Sequence, residues 1–226
     1  MSEFSFYFWI GLRHILDLDG LDHILFIIAL CAIYELADWK RVLILVTAFT
    51  IGHSVTLALA TLEVIRVDVP LIEFLIPLTV LLTAATNIIR RNTNHRKVNT
   101  NYYFALFFGL IHGLGYSNLL RTLLGKDESI VTQLLAFNLG LEVGQIVIVA
   151  AFLCITFLVL FVSTFEKRDW RLIVSSAVAG AALLLIIESD YWKPKKDFDN
   201  ETDLSIYDCP HAIGGSICTA RVARQV

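Results

Sequence analysis

The sequence is poor in soft metal ligands, in paired thiols and in excess charge. Met1 is its one methionine, and its four cysteines include no C-x-x-C pair. Thiolate- or thioether-rich sites of the kind that select copper(I) are therefore disfavoured. Cys31 and Cys154 lie in apolar runs and read as packing residues. A formal net charge of −3 gives no basic footprint, and no nucleic-acid-binding motif is present, so no nucleic-acid partner is expected. No Walker A sequence occurs, so any ATP coupling would come from a partner chain. No H-E-x-x-H pair marks a zinc protease, and no lysine falls inside an apolar run to carry a retinal Schiff base. The first residues, MSEFSFYFW, hold Glu3 and no Lys or Arg, which argues against a cleaved signal peptide.

What the sequence has in quantity is apolar surface. At 57% hydrophobic residues it exceeds the proportion of roughly half found in soluble domains, so it reads as an integral membrane protein. A crossing helix needs about 20 mainly apolar residues. By that measure six spans are expected, over residues 21–36, 42–62, 70–89, 102–124, 130–165 and 172–187, with a kink at Pro77. A short segment at 4–16 precedes them; it runs into DLDG, a turn composition, and reads as a half-helix or re-entrant element. The fold class is thus all-α, a polytopic transmembrane helix bundle over residues 1–193. Residues 194–226 read as a polar, mobile tail, in which His211 is a loop residue and Cys209 and Cys218 would pair only in an oxidising compartment. The short loops after spans one, three and five carry Lys40, Arg41, Arg90, Arg91, Arg96, Lys97, Lys167, Arg168 and Arg171, against Arg13, Arg66, Arg121 and Lys126 on the other side. The positive-inside rule then places the N-terminal polar hairpin on the outer face, with the tail lysines counting against it. His95, among asparagines and basic residues, reads as solvated.

Ionisable groups among these apolar runs are the informative residues. A charge at mid-bilayer costs about 2.5–3.5 kcal/mol on insertion scales, so such groups face partners or wet cavities. The stretch GLRHILDLDGLDHILF sets His14, Asp22 and His23 within ten residues of one another, folded by the DLDG turn; Asp17 and Asp19 there cap the turn or face water. In span two Thr47, Thr50, His53 and Thr56 recur every third residue along one side. Span three carries Glu73 with Pro77 and Asn87. Span four sets His112 inside a G-x-x-x-G of Gly109 and Gly113, and span five pairs Asn138, Glu142 and Gln145 with Gly140 and Gly144. A lone His or Glu in a bundle is more often an interhelical hydrogen-bonding residue than a ligand, and the amides and threonines read as structural. Taken together, His14, Asp22, His23, His53, Glu73, His112 and Glu142 form a mixed nitrogen and oxygen set that suits nickel, cobalt, zinc or copper(II).

Four stretches, GLRHILDLDGLDHILFIIAL, WKRVLILVTAFTIGHSVTLALA, LIEFLIPLTV and FGLIHGLGYSNLL, occur in order and together resemble the HupE/UreJ family of bacterial membrane proteins over residues 4–190. The family's His and Asp signature falls on His14, Asp22 and His23, and its later motifs on His53, Glu73 and His112. The DLDG turn makes the first spacing longer than the family's commoner one. The resemblance implies a secondary or facilitative permease for a divalent transition metal, nickel first and cobalt next, in the bacterial inner membrane. It implies no enzyme activity and no permanently bound cofactor, the metal being cargo. The expected partners are the lipid bilayer, the divalent ion, further copies of the chain and proteins of metalloenzyme maturation. In this reading the N-terminal hairpin captures the ion and His53, His112, Glu73 and Glu142 pass it on. Two other readings stay open: a membrane-embedded metalloenzyme, and a non-transporting accessory subunit of a metal-handling system.

Overall fold

The interruption at the N-terminal turn decides how the bundle is threaded. The computed structural model describes residues 2–17, 20–65, 68–89, 98–117, 120, 130–164, 166–189 and 191. Among these residues there are seven α-helices and no strand. They are α1 (Glu3–Leu16), α2 (Leu21–Cys31), α3 (Trp39–Thr61), α4 (Val69–Ile89), α5 (Val98–Gly115), α6 (Ile130–Val162) and α7 (Lys167–Glu188), with a 3₁₀ turn at Leu36–Asp38. The all-α class holds. Four segments are long and apolar enough to cross a membrane: Leu36–Thr61, Val69–Ile89, Ile130–Val162 and Lys167–Glu188. The other two expected spans are shorter as helices, 11 residues for α2 and 18 for α5. The expected end of the fourth span and the polar tail at 194–226, with His95, Cys209, His211 and Cys218, lie outside the described residues.

Local sequence sets the helix ends. Ser2 caps α1, its Oγ accepting from the Ser5 backbone N–H at 3.3 Å, and Glu3 adds a carboxylate where the helix dipole favours one. The α2 helix stops at Cys31 instead of running to Leu36. Its last turn closes locally, with Ala32 N–H bonded to the Ile28 carbonyl and Tyr34 N–H to that of Cys31. The chain then delivers Glu35 to Lys167 at 2.7 Å, a pairing that a helix continued through this point would have to reach from a fixed face. Within α4, Pro77 gives up a backbone donor, and Thr79 bonds its hydroxyl to the Ile76 carbonyl at 2.7 Å beside it.

Glycines determine which helices lie backbone to backbone. A Cβ at Gly11 would strike the Phe137 carbonyl, one at Gly140 the Phe8 carbonyl, and one at Gly144 the Ile15 side chain, so α1 and α6 touch directly. The same holds for α3 and α5: a Cβ at Gly52 would meet the Leu106 carbonyl, one at Gly109 that of Phe49, and one at Gly113 that of His53. Small residues permit such approach where lipid supplies no hydrophobic drive between helices. The two G-x-x-x-G faces read from sequence are both used, against Gly52 and Gly11.

These contacts also fix direction. Glu3 bonds Gln133, Phe8 and Leu12 meet Gly140, and Ile15 meets Gly144, so α1 and α6 run in the same sense. Further along the chain, Glu35, Leu36 and Trp39 share a cavity with Thr156, Leu160 and Phe161 of α6. The N-terminal chain therefore follows α6 from one end towards the other. The α2 helix is antiparallel to α3 and α5, with His23 beside His53 and His112, Phe26 beside Phe49 and Phe108, and Tyr34 accepting from Asn101 at 3.0 Å. This corrects the expected N-terminal hairpin: α1 and α2 do not fold back on each other but continue in one direction across an interruption. At about 1.5 Å per residue they rise about 21 and 16 Å. Each falls short of a hydrocarbon core about 30 Å thick, which the two in succession match.

Candidate functional site

The interruption between α1 and α2 lies where four imidazoles meet. His14 comes from the last turn of α1, His23 from the first turn of α2, His53 from the middle of α3 and His112 from the last turn of α5. Glycine contact brings α3 and α5 close enough for His53 and His112 to share one space, while Gly11, one turn before His14, seats α1 on α6. Ring centroids are 4.8 Å apart for His14 and His23, 5.1 Å for His23 and His112, 5.8 Å for His23 and His53, and 6.1 Å for His14 and His53. His53 and His112 are wholly buried and His23 nearly so.

Two of the rings are oriented from behind. His23 sets Nδ1 at 3.0 Å from Asp22 Oδ1, an oxygen that also accepts the His23 backbone N–H at 2.9 Å. His112 sets Nδ1 at 2.9 Å from the Phe108 carbonyl. Because a carbonyl or carboxylate oxygen only accepts, the proton belongs on Nδ1 in both rings and leaves Nε2 with a free lone pair. Ligating histidines are commonly held this way, by a carboxylate or carbonyl on the nitrogen away from the metal. The atoms left over fit that role. Nε2 of His14, His23 and His112 and both ring nitrogens of His53 are buried without a hydrogen-bond partner. A buried polar atom left unpaired costs about 1–3 kcal/mol, so five in one place form a large standing demand for partners, although one His53 nitrogen carries that ring's proton and offers no lone pair.

Among the described residues no three His, Cys, Asp or Glu side chains stand as a set that could hold a metal ion where they are. The rings pack edge to face or tilted, and a coordination sphere would require them to turn their lone pairs towards one point. Aromatic side chains enclose them. Tyr116 lies 3.9 Å from His14, ring centre to ring centre, and stacks on Phe137; on the other side Phe26 and Phe49 lie 5.1 Å from His112.

Of the seven expected site residues, the structure thus assembles His14, Asp22, His23, His53 and His112. Glu73 is exposed on α4, where the described ring contact is that of Phe74 with Tyr191. Glu142 sits on α6 and accepts from the Thr47 hydroxyl at 2.6 Å, next to a second bond from Thr50 to Gln145 at 2.7 Å. Thr47, Thr50 and Gln145 accordingly join helices, as read from sequence, whereas Thr56 and Asn138 bond carbonyls of their own helices. Sequence reasoning missed Tyr116, Phe26, Phe49 and Phe137 as the walls, since aromatics are common in any membrane span. It also missed Gly52 and Gly11, although each lies within three residues of a clustered histidine.

A family model described as HupE / UreJ protein matches residues 1–192 of the chain. No curated protein and no solved structure matches it.

Proposed function

The chain belongs to the HupE/UreJ family, and from that premise we propose that it is a secondary or facilitative permease for a divalent transition-metal ion, nickel first and cobalt next. The family's association with nickel or cobalt transport, or with an accessory function, supports this reading. The observation that carries it is the set of five unpartnered ring nitrogens around the Asp22–His23 pair. Imidazole nitrogen with one carboxylate suits nickel and its neighbours, and the apolar, aromatic surroundings exclude competing water. The ion is cargo, and its binding displaces protons, because imidazole ligates only in its neutral form.

The chain makes six crossings of a bacterial inner membrane in this proposal, the first of them interrupted at its centre to form α1 and α2. Broken helices of this kind place polar ends at mid-membrane in secondary transporters. His14, at the end of α1, and Asp22–His23, at the start of α2, then receive the ion, and His53 and His112 share it. The side from which α1 begins faces outward, as the basic loops indicate. Further copies of the chain and metalloenzyme-maturation proteins are its proposed partners beyond the lipid.

Uptake of radioactive nickel into proteoliposomes tests the reading, with wild type compared to His23→Ala and with cobalt, zinc and manganese as competitors. Saturable uptake lost in the variant is the expected result. No uptake by a wild-type protein that still retains nickel would overturn it in favour of the accessory reading.

A further inference from the structure

Release of an ion from a closed cluster needs a moving part, and the contacts between helices show where movement is cheap. Resting on the permease reading, we propose that Glu142 and Gln145 are positioning residues at a seam along which two glycine-locked helix pairs, α1–α6 and α3–α5, shift against each other during transport. In this arrangement Glu142 is not an ion ligand.

Each pair is rigid for a stated reason. Gly11, Gly140 and Gly144 set α1 against the α6 backbone, and Gly52, Gly109 and Gly113 set α3 against that of α5. Sliding either pair by one residue would drive a Cβ into a carbonyl oxygen, a contact with no flexible side chain to give way. Contact between the pairs is of another kind. Thr47 donates to Glu142 and Thr50 to Gln145, side chain to side chain. The Thr50 hydroxyl also lies 3.2 Å from the Val46 carbonyl of its own helix, so parting the seam leaves its proton an acceptor at once. Gln145 Oε1, by contrast, gives up its Thr50 donor, beside an Nε2 of the same amide that is already buried without a partner. Parting the seam thus breaks two side-chain hydrogen bonds, whereas a shift within either pair would press a Cβ against backbone, and that contrast suits an interface with two accessible arrangements.

The ligands are divided in the same way. His14 rides on α1 with α6, whereas His53 and His112 ride on α3 and α5. His23 lies between them, on α2, which Asn87 ties to α4 through the Ala29 carbonyl at 2.7 Å. The interruption frees α1 from α2, so His14 can approach or leave the other three rings as its pair shifts. Since the rings as placed form no finished coordination set, the ion gains its full complement by drawing the pairs together, and separation of the pairs releases it.

Cysteine pairs test this in a chain whose four native cysteines are replaced by serine. Thr47→Cys with Glu142→Cys spans the seam, and Thr50→Cys with Gln145→Cys is a second seam pair. Glu3→Cys with Gln133→Cys lies within the α1–α6 pair. In lipid nanodiscs with diamide as oxidant, nickel should change the rate of disulfide formation several-fold at the seam and leave it unchanged at Glu3 and Gln133. In proteoliposomes the seam disulfide should stop nickel uptake, reversibly on reduction, with equilibrium nickel binding retained; the inner disulfide should alter neither. Glu142→Gln should likewise keep nickel affinity and slow uptake. Equal rates at all pairs with and without nickel, normal uptake through a crosslinked seam, a block by the inner disulfide, or lost affinity in Glu142→Gln would each overturn the proposal. Nickel-dependent seam rates in a protein that moves no nickel would instead sink the permease reading and leave the seam standing.

Discussion

Removing the charge on Asp22 while keeping its shape isolates what that residue does. Its Oδ1 accepts two hydrogen bonds from His23, one from the backbone N–H at 2.9 Å and one from ring Nδ1 at 3.0 Å. In Asp22→Asn an amide oxygen can occupy the same position and keep the backbone bond, so the turn into α2 should survive. The ring bond loses its charge-assisted share, and charge-assisted bonds are roughly twice as strong as neutral ones. His23 Nε2 becomes less basic and less firmly aimed. Loss of such a supporting partner typically lowers metal affinity about 10- to 100-fold, which is about 1.4–2.7 kcal/mol. Nickel titration of purified protein by calorimetry, checked by equilibrium dialysis, reads both affinity and stoichiometry. Affinity should fall within that range at unchanged stoichiometry. Unchanged affinity would refute the orienting role, and disappearance of the binding event would make Asp22 a direct ligand instead.

The unpaired nitrogens of His53 predict a trade of stability against function: His53→Leu removes two buried unsatisfied atoms, so the metal-free thermal midpoint should hold or rise while stabilisation by added nickel disappears. A lower metal-free midpoint would show that those atoms are satisfied in the membrane. Gly109→Val should cost about 1–3 kcal/mol by overpacking against the Phe49 carbonyl, and it should weaken nickel binding by parting His53 from His112. Gly180→Ala, at a position with nothing within 4 Å, should instead gain up to about 1 kcal/mol from helix propensity. Equal thermal midpoints for these two variants would refute the close crossing of α3 and α5.

Sequence showed the histidines more clearly than the path of the chain between them. His14, His23, His53 and His112 stand out because ionisable residues are rare in apolar runs, and each of the four proved to lie in the cluster. The helix seams were legible for a similar reason, since Gly109 with Gly113 and Gly140 with Gly144 keep the four-residue spacing that stacks small residues on one face. The direction of α2 was not legible. A turn composition such as DLDG reads equally well as a reversal or as a break between collinear helices, and only contacts far along the sequence, Glu3 with Gln133 and Glu35 with Lys167, tell them apart. The carboxylates were hard to place because helical spacing gives a residue's face but not its neighbour. Glu142 shares a stripe with Gln145, yet that stripe meets Thr47 and Thr50 and not the imidazoles.

The cluster's composition bears on how tightly it can hold an ion. Among the described residues Asp22 is the carboxylate hydrogen-bonded to a clustered ring, and it contacts the His23 ring from behind. A divalent ion among neutral imidazoles thus keeps much of its charge uncompensated in a low-dielectric interior, which limits affinity more than a site rich in carboxylates would. For a storage or catalytic site that would be a defect. Conduction, however, requires a site good enough to admit the ion and weak enough to let it go. Adding a carboxylate is therefore a sharper trial of the permease reading than removing a histidine. Tyr116→Glu, against His14, should tighten nickel binding and slow its transport, and a rise in both would show that release does not limit the rate.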